Sequence, residues 1–566
     1  MSHTIQSLLL TLYPEAEAVS LNTRIVERLQ GATKRRGRVD AWSPSDVVMI
    51  AYGDSISAEG ETPLSSMRPF LREVLGGLVS HVHLLPFFPY TSDDGFSVVD
   101  YRKVDEVNGT WGDIHNLGQD VELIFDLVIN HASASHQHFR EFLADQTPGN
   151  RYFLTAPEDE DVHQVTRPRA APLLQRYETA SGPRWVWCTF SRDQVDWDFS
   201  NPDVLYEFVD IFLTYLEHGA SWVRLDAIAY LWKEQGTPCV HLPQTHAVVK
   251  LLRILGEEIT PDCKILTETN VPLPENLSYF GDGDEAHIVY NFSLPPLLVH
   301  GLLTGNGEHL TEWCNGLPAL PEGCTYLNFT ASYDGIGLRP AEGILDKEEV
   351  SRLVECVRGF GGQATERRQP DGSLSPYEAN IALFDAFKGT LEGLDSWQGE
   401  RFLASQAVML CMAGVPAFYY NSFLSAPNNQ EGFQETGRNR TLNRKKWTMD
   451  EVGERLGDKN GIPSRVLGHL QELIGIRKKQ PAFHPECPQE ALVMDGRAFV
   501  VRRHSSSQTL ICATNLSKEP VSLERKSFGE SPSDPGQILY PPEGMTGPGD
   551  TLTLPPYGIL WIAFER

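Results

Sequence analysis

The sequence predicts an α/β protein built on a (β/α)8 TIM barrel, with inserted subdomains and a C-terminal antiparallel β domain. Eight apolar runs of strand length occur along its 566 residues, and segments with helical spacing separate most of them. Strand–helix alternation repeated eight times indicates a closed parallel barrel, although alternation alone also allows a doubly wound open sheet. The predicted strands are Val47–Tyr52, His81–Phe88, Val121–Ile129, Ser221–Ala227, Ile265–Glu268, His287–Phe292, Thr325–Phe329 and Val415–Tyr420.

The fourth predicted strand shows the repeating unit most clearly. Asn201 and Pro202 are typical of a helix start, and apolar residues at helical spacing follow them up to the turn before the strand. The period of two in a strand places Arg224 and Asp226 on the same side. Such a charged pair belongs either to a functional site or to an ion pair that serves packing. Other predicted helices are Met67–Leu78, Thr245–Ile259 and Arg401–Ala413.

Two connections between the predicted strands are too long for a single helix. The first is polar and rich in proline, and the second contains paired glycines and paired arginines, so we expect an inserted subdomain in each. Short alternating runs after the barrel predict the C-terminal antiparallel domain. This organisation assigns residues 1–131, 201–334 and 398–481 to the barrel, 132–200 to subdomain B, 335–397 to the second insertion and 482–566 to the β domain.

Composition and charge limit the classes of function. A net charge of −27 repels nucleic acid and anionic membranes, and no apolar run approaches the roughly 18 residues that span a bilayer. The nine cysteines include no CxxC pair, and no basic segment precedes the first apolar run. We therefore expect a cytoplasmic monomer or homodimer with no nucleic-acid or membrane partner. Neither zinc-type Cys/His spacing nor an EF-hand loop occurs, so no metal or cofactor is predicted.

Polar residues follow the predicted barrel strands. Because all strands of such a barrel point the same way, their ends share one mouth. Asp226, Glu268 and Asp334 lie at the ends of strands four, five and seven, and Arg224 and His131 join them. Carboxyl groups that attack and transfer a proton, with polar groups for sugar hydroxyls, form a glycosidic-bond site. We expect Arg224 to keep Asp226 ionised, since a neighbouring cation favours the charged form.

Several segments resemble a known family. Asp126–His131, Val223–Ala227, Glu268 and Asp334 resemble the four signature regions of the α-amylase superfamily, glycoside hydrolase family 13. Further segments resemble its sucrose phosphorylase subfamily, and they are Asp93–Phe96, Thr166–Arg169, Asp334–Gly337 and Pro376–Asn380. Within that subfamily the sequence is most similar to the glucosylglycerate phosphorylase branch, through Val165–Ala170, Trp232–Glu234, Thr267–Pro272 and Ser293–Leu297.

The resemblance implies a retaining mechanism and a role for each site residue. Asp226 would be the nucleophile that forms a covalent β-glucosyl-enzyme, Glu268 the general acid/base and Asp334 the carboxylate that stabilises the transition state. Glu268 must be protonated when the first bond breaks, so its surroundings should raise its pKa. Glucose would contact Asp93, Phe96, His131, Arg224, Tyr333 and Arg440. Phosphate and acceptor would contact Arg169, Tyr377 and Glu378, with Arg167 or Arg368 nearby.

The implied reaction is cleavage of 2-O-α-D-glucosyl-D-glycerate by inorganic phosphate to α-D-glucose 1-phosphate and D-glycerate. Both acceptors are anions and could take turns at one arginine-lined subsite. Alternatives are phosphorolysis of sucrose, sucrose 6′-phosphate or glucosylglycerol, a hydrolase or transglucosidase of the same superfamily, and an inactive sugar-binding barrel. Tyr333 departs from the family pattern, which usually has histidine before the stabilising aspartate, although a phenol still donates and accepts hydrogen bonds.

Overall fold

Eight parallel strands form a closed barrel in the computed structural model, which describes residues 2–35, 37, 41–169, 171–368, 373–528, 535–541, 544–545 and 550–565, without the side chain of Arg368. The strands are Val48–Ala51 (β1), His81–Leu84 (β2), Glu122–Val128 (β3), Ala220–Asp226 (β4), Lys264–Thr267 (β5), Ile288–Tyr290 (β6), Thr325–Phe329 (β7) and Val415–Tyr419 (β8). They pair in chain order, and β1 pairs with both β2 and β8. All eight predicted strands are confirmed, and the open sheet is excluded.

The helix before β4 forms as its sequence predicts. The side chain of Asn201 accepts the N–H of Asp203, and Pro202 occupies the first turn of the helix Pro202–Glu217. The remaining α-helices are Ser2–Leu9, Glu15–Gln30, Pro63–Pro69, Trp111–Leu117, Gln137–Leu143, Pro243–Ile259, Leu273–Leu277, Leu294–Thr304, Glu308–Gly316, Lys347–Gly359, Leu383–Ala386, Gln398–Cys411, Tyr420–Phe423, Gln430–Thr436, Met449–Gly457 and Ile462–Arg477. Among the described helices, none combines the length and the apolar composition that crossing a membrane requires.

The helix predicted over Met67–Leu78 does not form as one regular α-helix, so this prediction is wrong. The α-helix Pro63–Pro69 passes into a single π-helical segment, Phe70–Val74. Pro69 has no N–H to continue the regular hydrogen-bond pattern, so the helix changes type at that residue.

Two segments that leave the carboxyl ends of barrel strands form small sheets of their own. The first follows β3, where His131–Ser133 pairs with Gln194–Asp196, and a second antiparallel sheet has the order Thr155–Ala156, Gly182–Trp187 and Leu174–Thr179. The second follows β7 and contains an antiparallel sheet in the order Ile336–Gly337, Leu374–Asn380 and Gln363–Arg368. Both segments therefore start beside the mouth of the barrel.

The chain after the barrel forms an antiparallel sheet with a hydrophobic cluster of its own. Val500, Leu560 and Ile562 are fully buried in that cluster. The predicted C-terminal antiparallel region is confirmed. Its main sheet has the order Gln489–Ala491, Ala498–His504, Gln508–Asn515, Ile559–Glu565 and Gln537–Tyr540, and Val521–Glu524 pairs with Thr551–Leu554.

Candidate active site

An open pocket of about 470 Å³ lies at the carboxyl ends of the barrel strands. Its walls come from the segments that follow β2, β3, β4, β5, β7 and β8 and from the two inserted segments. The predicted site residues that line it are Asp93, Phe96, His131, Arg169, Asp226, Glu268, Tyr333, Asp334, Tyr377 and Arg440. The two others, Arg224 and Glu378, contact residues of this lining. The structure thus brings all the predicted site residues to one place.

Arg224 joins side chains from three barrel strands. Its Nη1 lies 2.6 Å from Oδ1 of Asp126 on β3 and 2.9 Å from Oδ1 of Asp226 on its own strand. Its Nη2 donates to the hydroxyl of Tyr333, which follows β7, at 2.8 Å. The side chain is only 2% exposed, so little water competes for these charge-assisted hydrogen bonds. The predicted placement of Arg224 and Asp226 on one side of the strand is confirmed.

Glu268 follows β5 but is held by the end of β4. Its Oε2 accepts the N–H of Ala227 at 3.1 Å and lies 3.9 Å from Nη2 of Arg224. Ala227 has a φ of 51°, in the left-handed region that few residues other than glycine adopt. The strand therefore turns sharply directly after Asp226, and the turn supplies a hydrogen bond to the second carboxyl group.

Burial raises the pKa of both Asp226 and Glu268. Arg224 opposes the rise in each case, while Asp126 adds to it. The expectation that Arg224 keeps Asp226 ionised is therefore wrong for this pocket, because one guanidinium serves three buried carboxyl groups. The raised pKa of Glu268 agrees with the prediction. Two nearby carboxyl groups with raised pKa values favour a proton shared between them.

Arg440 connects the end of β7 with both the second insertion and Asp93. Its Nη1 lies 2.6 Å from Oδ1 of Asp334 and 3.8 Å from Oδ1 of Asp93, and its Nε donates to Oε2 of Glu378 at 3.3 Å. Burial raises the pKa of Glu378 in spite of this arginine. For Asp93, burial acts in the same direction, but Arg440 and Arg444 outweigh it and hold the pKa low. Asp93 is therefore an anion, whereas burial favours the neutral acid at Glu378.

Asp93 stands in a strained turn. Asp93, Asp94 and Gly95 have φ values of 52°, 50° and 110°, three successive residues in the left-handed region. A Cβ atom at Gly95 would lie 2.5 Å from the carbonyl oxygen of Pro86, so only glycine fits there. Arg444 stabilises the turn, since its Nη1 donates to the carboxylate of Asp94 and lies 3.7 Å from Oδ1 of Asp93.

His131 is a neutral member of the lining. Its Nε2 lies 3.0 Å from the carbonyl oxygen of Phe96 and 3.2 Å from Nε2 of Gln194. Burial lowers the pKa of His131 to about 4. The ring is therefore uncharged at neutral pH and donates from Nε2 to the Phe96 carbonyl.

Arg169 brings a positive charge to the wall that the first insertion forms. Its guanidinium lies 5.8 Å from the centre of the Tyr377 ring, which belongs to the second insertion. Within the described parts of the chain, no carboxylate forms an ion pair with Arg169. Its charge is therefore available to an anionic ligand. The side chain of Arg368, also predicted to lie nearby, is outside the described residues.

Comparisons with known proteins identify the family. Residues 73–302 match the alpha-amylase catalytic domain. The chain is 46% identical to a glucosylglycerate phosphorylase of Spirochaeta thermophila over 476 residues, which cover 84% of this chain and 81% of that protein. It is 41% identical to a glucosylglycerate phosphorylase of Allomeiothermus silvanus over 553 residues, which cover 97% of this chain and 96% of that protein. The chain belongs to the α-amylase family.

A solved structure of this family has the same fold. The crystal structure of sucrose 6F-phosphate phosphorylase from Thermoanaerobacter thermosaccharolyticum matches with a TM-score of 0.72 at 22% identity, covering 84% of this chain and 94% of that one. At this identity the likeness concerns the fold alone. The two relatives of higher identity confirm the predicted place in the α-amylase family, with the sucrose phosphorylase subfamily.

Several residues of this α-amylase-family pocket do not follow from patterns in the sequence. Phe190 and Gln194 reach it from the far end of the first insertion, and no local pattern in the sequence identifies them. Asn270 also lines the pocket, and it lies two residues after the predicted acid/base in the segment that follows β5, so its place beside the barrel mouth could have identified it. Arg444 follows Arg440 by one helical turn, and it contacts the strained turn from outside the lining.

Tyr333 occupies the position where the α-amylase family usually has histidine. Its ring stacks on Phe96 with the ring centres 5.1 Å apart and the planes at 16°. Its hydroxyl oxygen accepts the hydrogen bond from Arg224, and burial raises the pKa of the phenol. Tyr333 is therefore a neutral group whose O–H proton remains available to a ligand.

Proposed function

We propose that this protein is a retaining glycoside phosphorylase that cleaves 2-O-α-D-glucosyl-D-glycerate with inorganic phosphate to α-D-glucose 1-phosphate and D-glycerate. The observation that carries the proposal is one pocket that combines the three predicted catalytic carboxyl groups, Asp226, Glu268 and Asp334, with Arg169, a cation without a carboxylate partner among the described residues. Identities of 46% and 41% to two glucosylglycerate phosphorylases support the choice of substrate.

In the first half of the reaction, Glu268 donates a proton to the glycosidic oxygen while a carboxylate oxygen of Asp226 attacks C1 of glucose. The bond from C1 to the glycosidic oxygen breaks, and glycerate leaves with the proton. Arg224 lies 2.9 Å from Asp226 but 3.9 Å from Glu268. Arg224 therefore stabilises the carboxylate form of Asp226 more than that of Glu268, against the burial that raises both pKa values, and the attack requires the shared proton to lie on Glu268.

In the second half, an oxygen of phosphate attacks C1 of the glucosyl-enzyme from the side that glycerate has left. The bond from C1 to Asp226 breaks, and Glu268 takes up the proton that phosphate loses. Two displacements at C1 retain its configuration, so the product is the α-anomer. Asp334 supports both steps by stabilising the positive charge that develops on the sugar ring.

Glucose binding falls to the residues nearest this centre. Asp93 and Arg440 offer an anion and a cation to sugar hydroxyls, and His131 and Tyr333 offer neutral hydrogen-bonding groups. Phe96 supplies an apolar surface that its stacking on Tyr333 keeps in place. Arg224 lies behind the pocket lining and acts through its hydrogen bond to Asp226, the nucleophile.

Phosphate and the carboxylate of glycerate take turns at Arg169. Glu378 has a raised pKa through burial and is 2% exposed, so a neutral acid there does not repel either anion. The ring of Tyr377 faces the guanidinium of Arg169 at 5.8 Å. Oδ1 of Asn270 is buried without a hydrogen-bond partner in the described structure, which suits it to accept a hydroxyl of the acceptor.

The decisive experiment measures release of α-D-glucose 1-phosphate and of free glucose from glucosylglycerate, sucrose, sucrose 6′-phosphate and glucosylglycerol, each with and without phosphate. We expect release from glucosylglycerate only when phosphate is present. Release of α-D-glucose 1-phosphate from sucrose and from none of the other three compounds would contradict glucosylglycerate as the substrate. Equal cleavage without phosphate would indicate a hydrolase, and no cleavage of any substrate would indicate a sugar-binding barrel.

We also propose a cytoplasmic location and action on small molecules as a monomer or homodimer, without a nucleic-acid or membrane partner. All nine cysteines are free thiols, and seven of them are buried, which suits a reducing compartment. The net charge of −27 opposes binding to nucleic acid and to anionic lipid.

A further inference from the structure

Two histidines and a glutamate from three different helices meet outside the catalytic pocket. His300 lies on Leu294–Thr304, His309 on Glu308–Gly316 and Glu349 on Lys347–Gly359. One ligand atom from each lies within 4.8 Å of the other two. We propose that these three residues form a binding site for Zn²⁺ or a similar divalent transition-metal ion. The site does not depend on the proposed phosphorylase activity.

The distances in the cluster suit a small metal ion. Oε1 of Glu349 lies 3.4 Å from Nε2 of His300 and 2.9 Å from Nε2 of His309. Zinc bound tetrahedrally by nitrogen and oxygen places neighbouring ligand atoms about 3.3 Å apart. The two distances to Glu349 lie on either side of this value, so an ion between these atoms requires only small adjustments of the side chains. Both imidazoles would bind through Nε2, with the ring proton moved to Nδ1.

The surroundings hold the ligands in position. Oε2 of Glu349 accepts the N–H of Asp346 at 2.8 Å, which orients the carboxylate and leaves Oε1 for the ion.

An open cavity of about 470 Å³ borders His300 and Glu349 and gives an ion access to the cluster. It also leaves room for water as the fourth ligand, as in zinc sites with three protein ligands. Arg352 lines the same cavity, and its positive charge favours a negatively charged fourth ligand such as hydroxide.

The three ligands join two parts of the molecule. Both histidines belong to helices that lie between β6 and β7, whereas Glu349 lies in the segment inserted after β7. That segment also carries Tyr377 and Glu378. A bound ion would therefore fasten one wall of the catalytic pocket to the barrel without contacting substrate.

Binding is tested by titrating the metal-free full-length protein with ZnCl₂ against a chromophoric chelator. We expect one Zn²⁺ per chain with a dissociation constant in the micromolar range or below. His309→Ala and Glu349→Gln should each weaken binding by about 10-fold or more. The matched controls are Glu348→Gln, an exposed neighbour on the same helix, and His115→Ala, a histidine outside the cluster; both should bind as wild type does. Affinity that is equal in all variants would overturn the site.

Thermal unfolding gives an independent measurement. A ligand that binds only the native state raises the unfolding midpoint, so saturating Zn²⁺ should raise it in wild type and in Glu348→Gln but not in His309→Ala. An unchanged midpoint in wild type would contradict binding to the folded protein. X-ray absorption at the zinc edge should show two imidazole ligands, and their absence would also overturn the proposal.

Discussion

The floor and the acceptor wall of the catalytic pocket are built in different ways. The floor consists of Asp126, Arg224, Asp226, Glu268 and Tyr333, from the barrel strands and the residues that directly follow them, and direct hydrogen bonds of 2.6–2.9 Å join four of these side chains. The acceptor wall consists of Arg169, Tyr377 and Glu378, from two insertions that meet through a cation–π contact of 5.8 Å.

This difference separates two tasks. In the proposed mechanism, glucosyl transfer depends on a network that the barrel itself holds, and we expect a change in any one member to disturb the others. The choice of the molecule that enters or leaves depends on side chains from the insertions, which have few bonds to the floor. We therefore expect changes in the floor to remove all reactions and changes in the wall to alter the acceptor.

The largest effect should come from Asp226→Asn in the floor. Without a carboxylate that can attack C1, no glucosyl-enzyme forms, and we expect kcat for phosphorolysis to fall by roughly 10⁴-fold or more. The rate of glucose 1-phosphate release at saturating substrate measures this kcat. Asp159→Asn, a change of the same type at an exposed carboxylate, should keep wild-type activity. A loss smaller than tenfold in Asp226→Asn would place the nucleophile elsewhere.

A smaller and more selective effect should come from Arg169→Gln in the acceptor wall. Loss of charge-assisted hydrogen bonds to an anion should raise KM for phosphate and for glucosylglycerate by about 10–100-fold. Hydrolysis of α-glucosyl fluoride, which needs no acceptor contact in its first step, should change only a few-fold. The matched control is Arg176→Gln, an exposed arginine on a strand of the same insertion.

Equal losses in phosphorolysis and in fluoride hydrolysis would contradict this separation, because Arg169 would then act on the step that both reactions share. Equal KM values in Arg169→Gln and wild type would remove Arg169 from the acceptor wall.

The smallest effect should appear in stability. Folding raises the pKa of Asp226, so the folded chain binds this proton more tightly than the unfolded chain. The contribution of Asp226 to the free energy of unfolding is complete below the unfolded pKa, near 4. It is lost as the pH rises through the folded pKa. Asp226→Asn should therefore raise the unfolding midpoint by about 2–4 °C at pH 8, and by less as the pH falls toward 4. If Asp226→Asn lowers the unfolding midpoint relative to wild type, and does so more at pH 8 than at pH 5, the raised pKa of Asp226 is contradicted.

The barrel and most of the floor could be predicted because both depend on short-range patterns. Buried parallel strands appear as apolar runs, and the polar residues that follow them meet at one mouth. The pKa of Asp226 could not be predicted, because it depends on register. Burial raises this pKa, and Arg224 opposes it only in part because it also pairs with Asp126 across β3 and β4 and lies near Glu268, which no pattern within one strand shows.

The acceptor wall and the strained turn were harder to predict for a different reason. Arg169 and Tyr377 are some 200 residues apart in the chain, as their numbers show, and they meet only because both insertions fold over the same mouth. The left-handed φ values of Asp93 and Asp94 depend on Arg444, which is distant in sequence. Tertiary contacts of this kind override local preference.

The hydrogen bond from the N–H of Ala227 to Glu268 has a consequence for motion in the pocket. This N–H belongs to the peptide unit that directly follows Asp226, so the two carboxyl groups share one short piece of backbone as their support. Thermal displacement of the end of β4 then carries both groups in the same direction. We therefore expect vibration of the strand to change the spacing of the two carboxyl groups less than it changes the position of either group relative to a bound sugar.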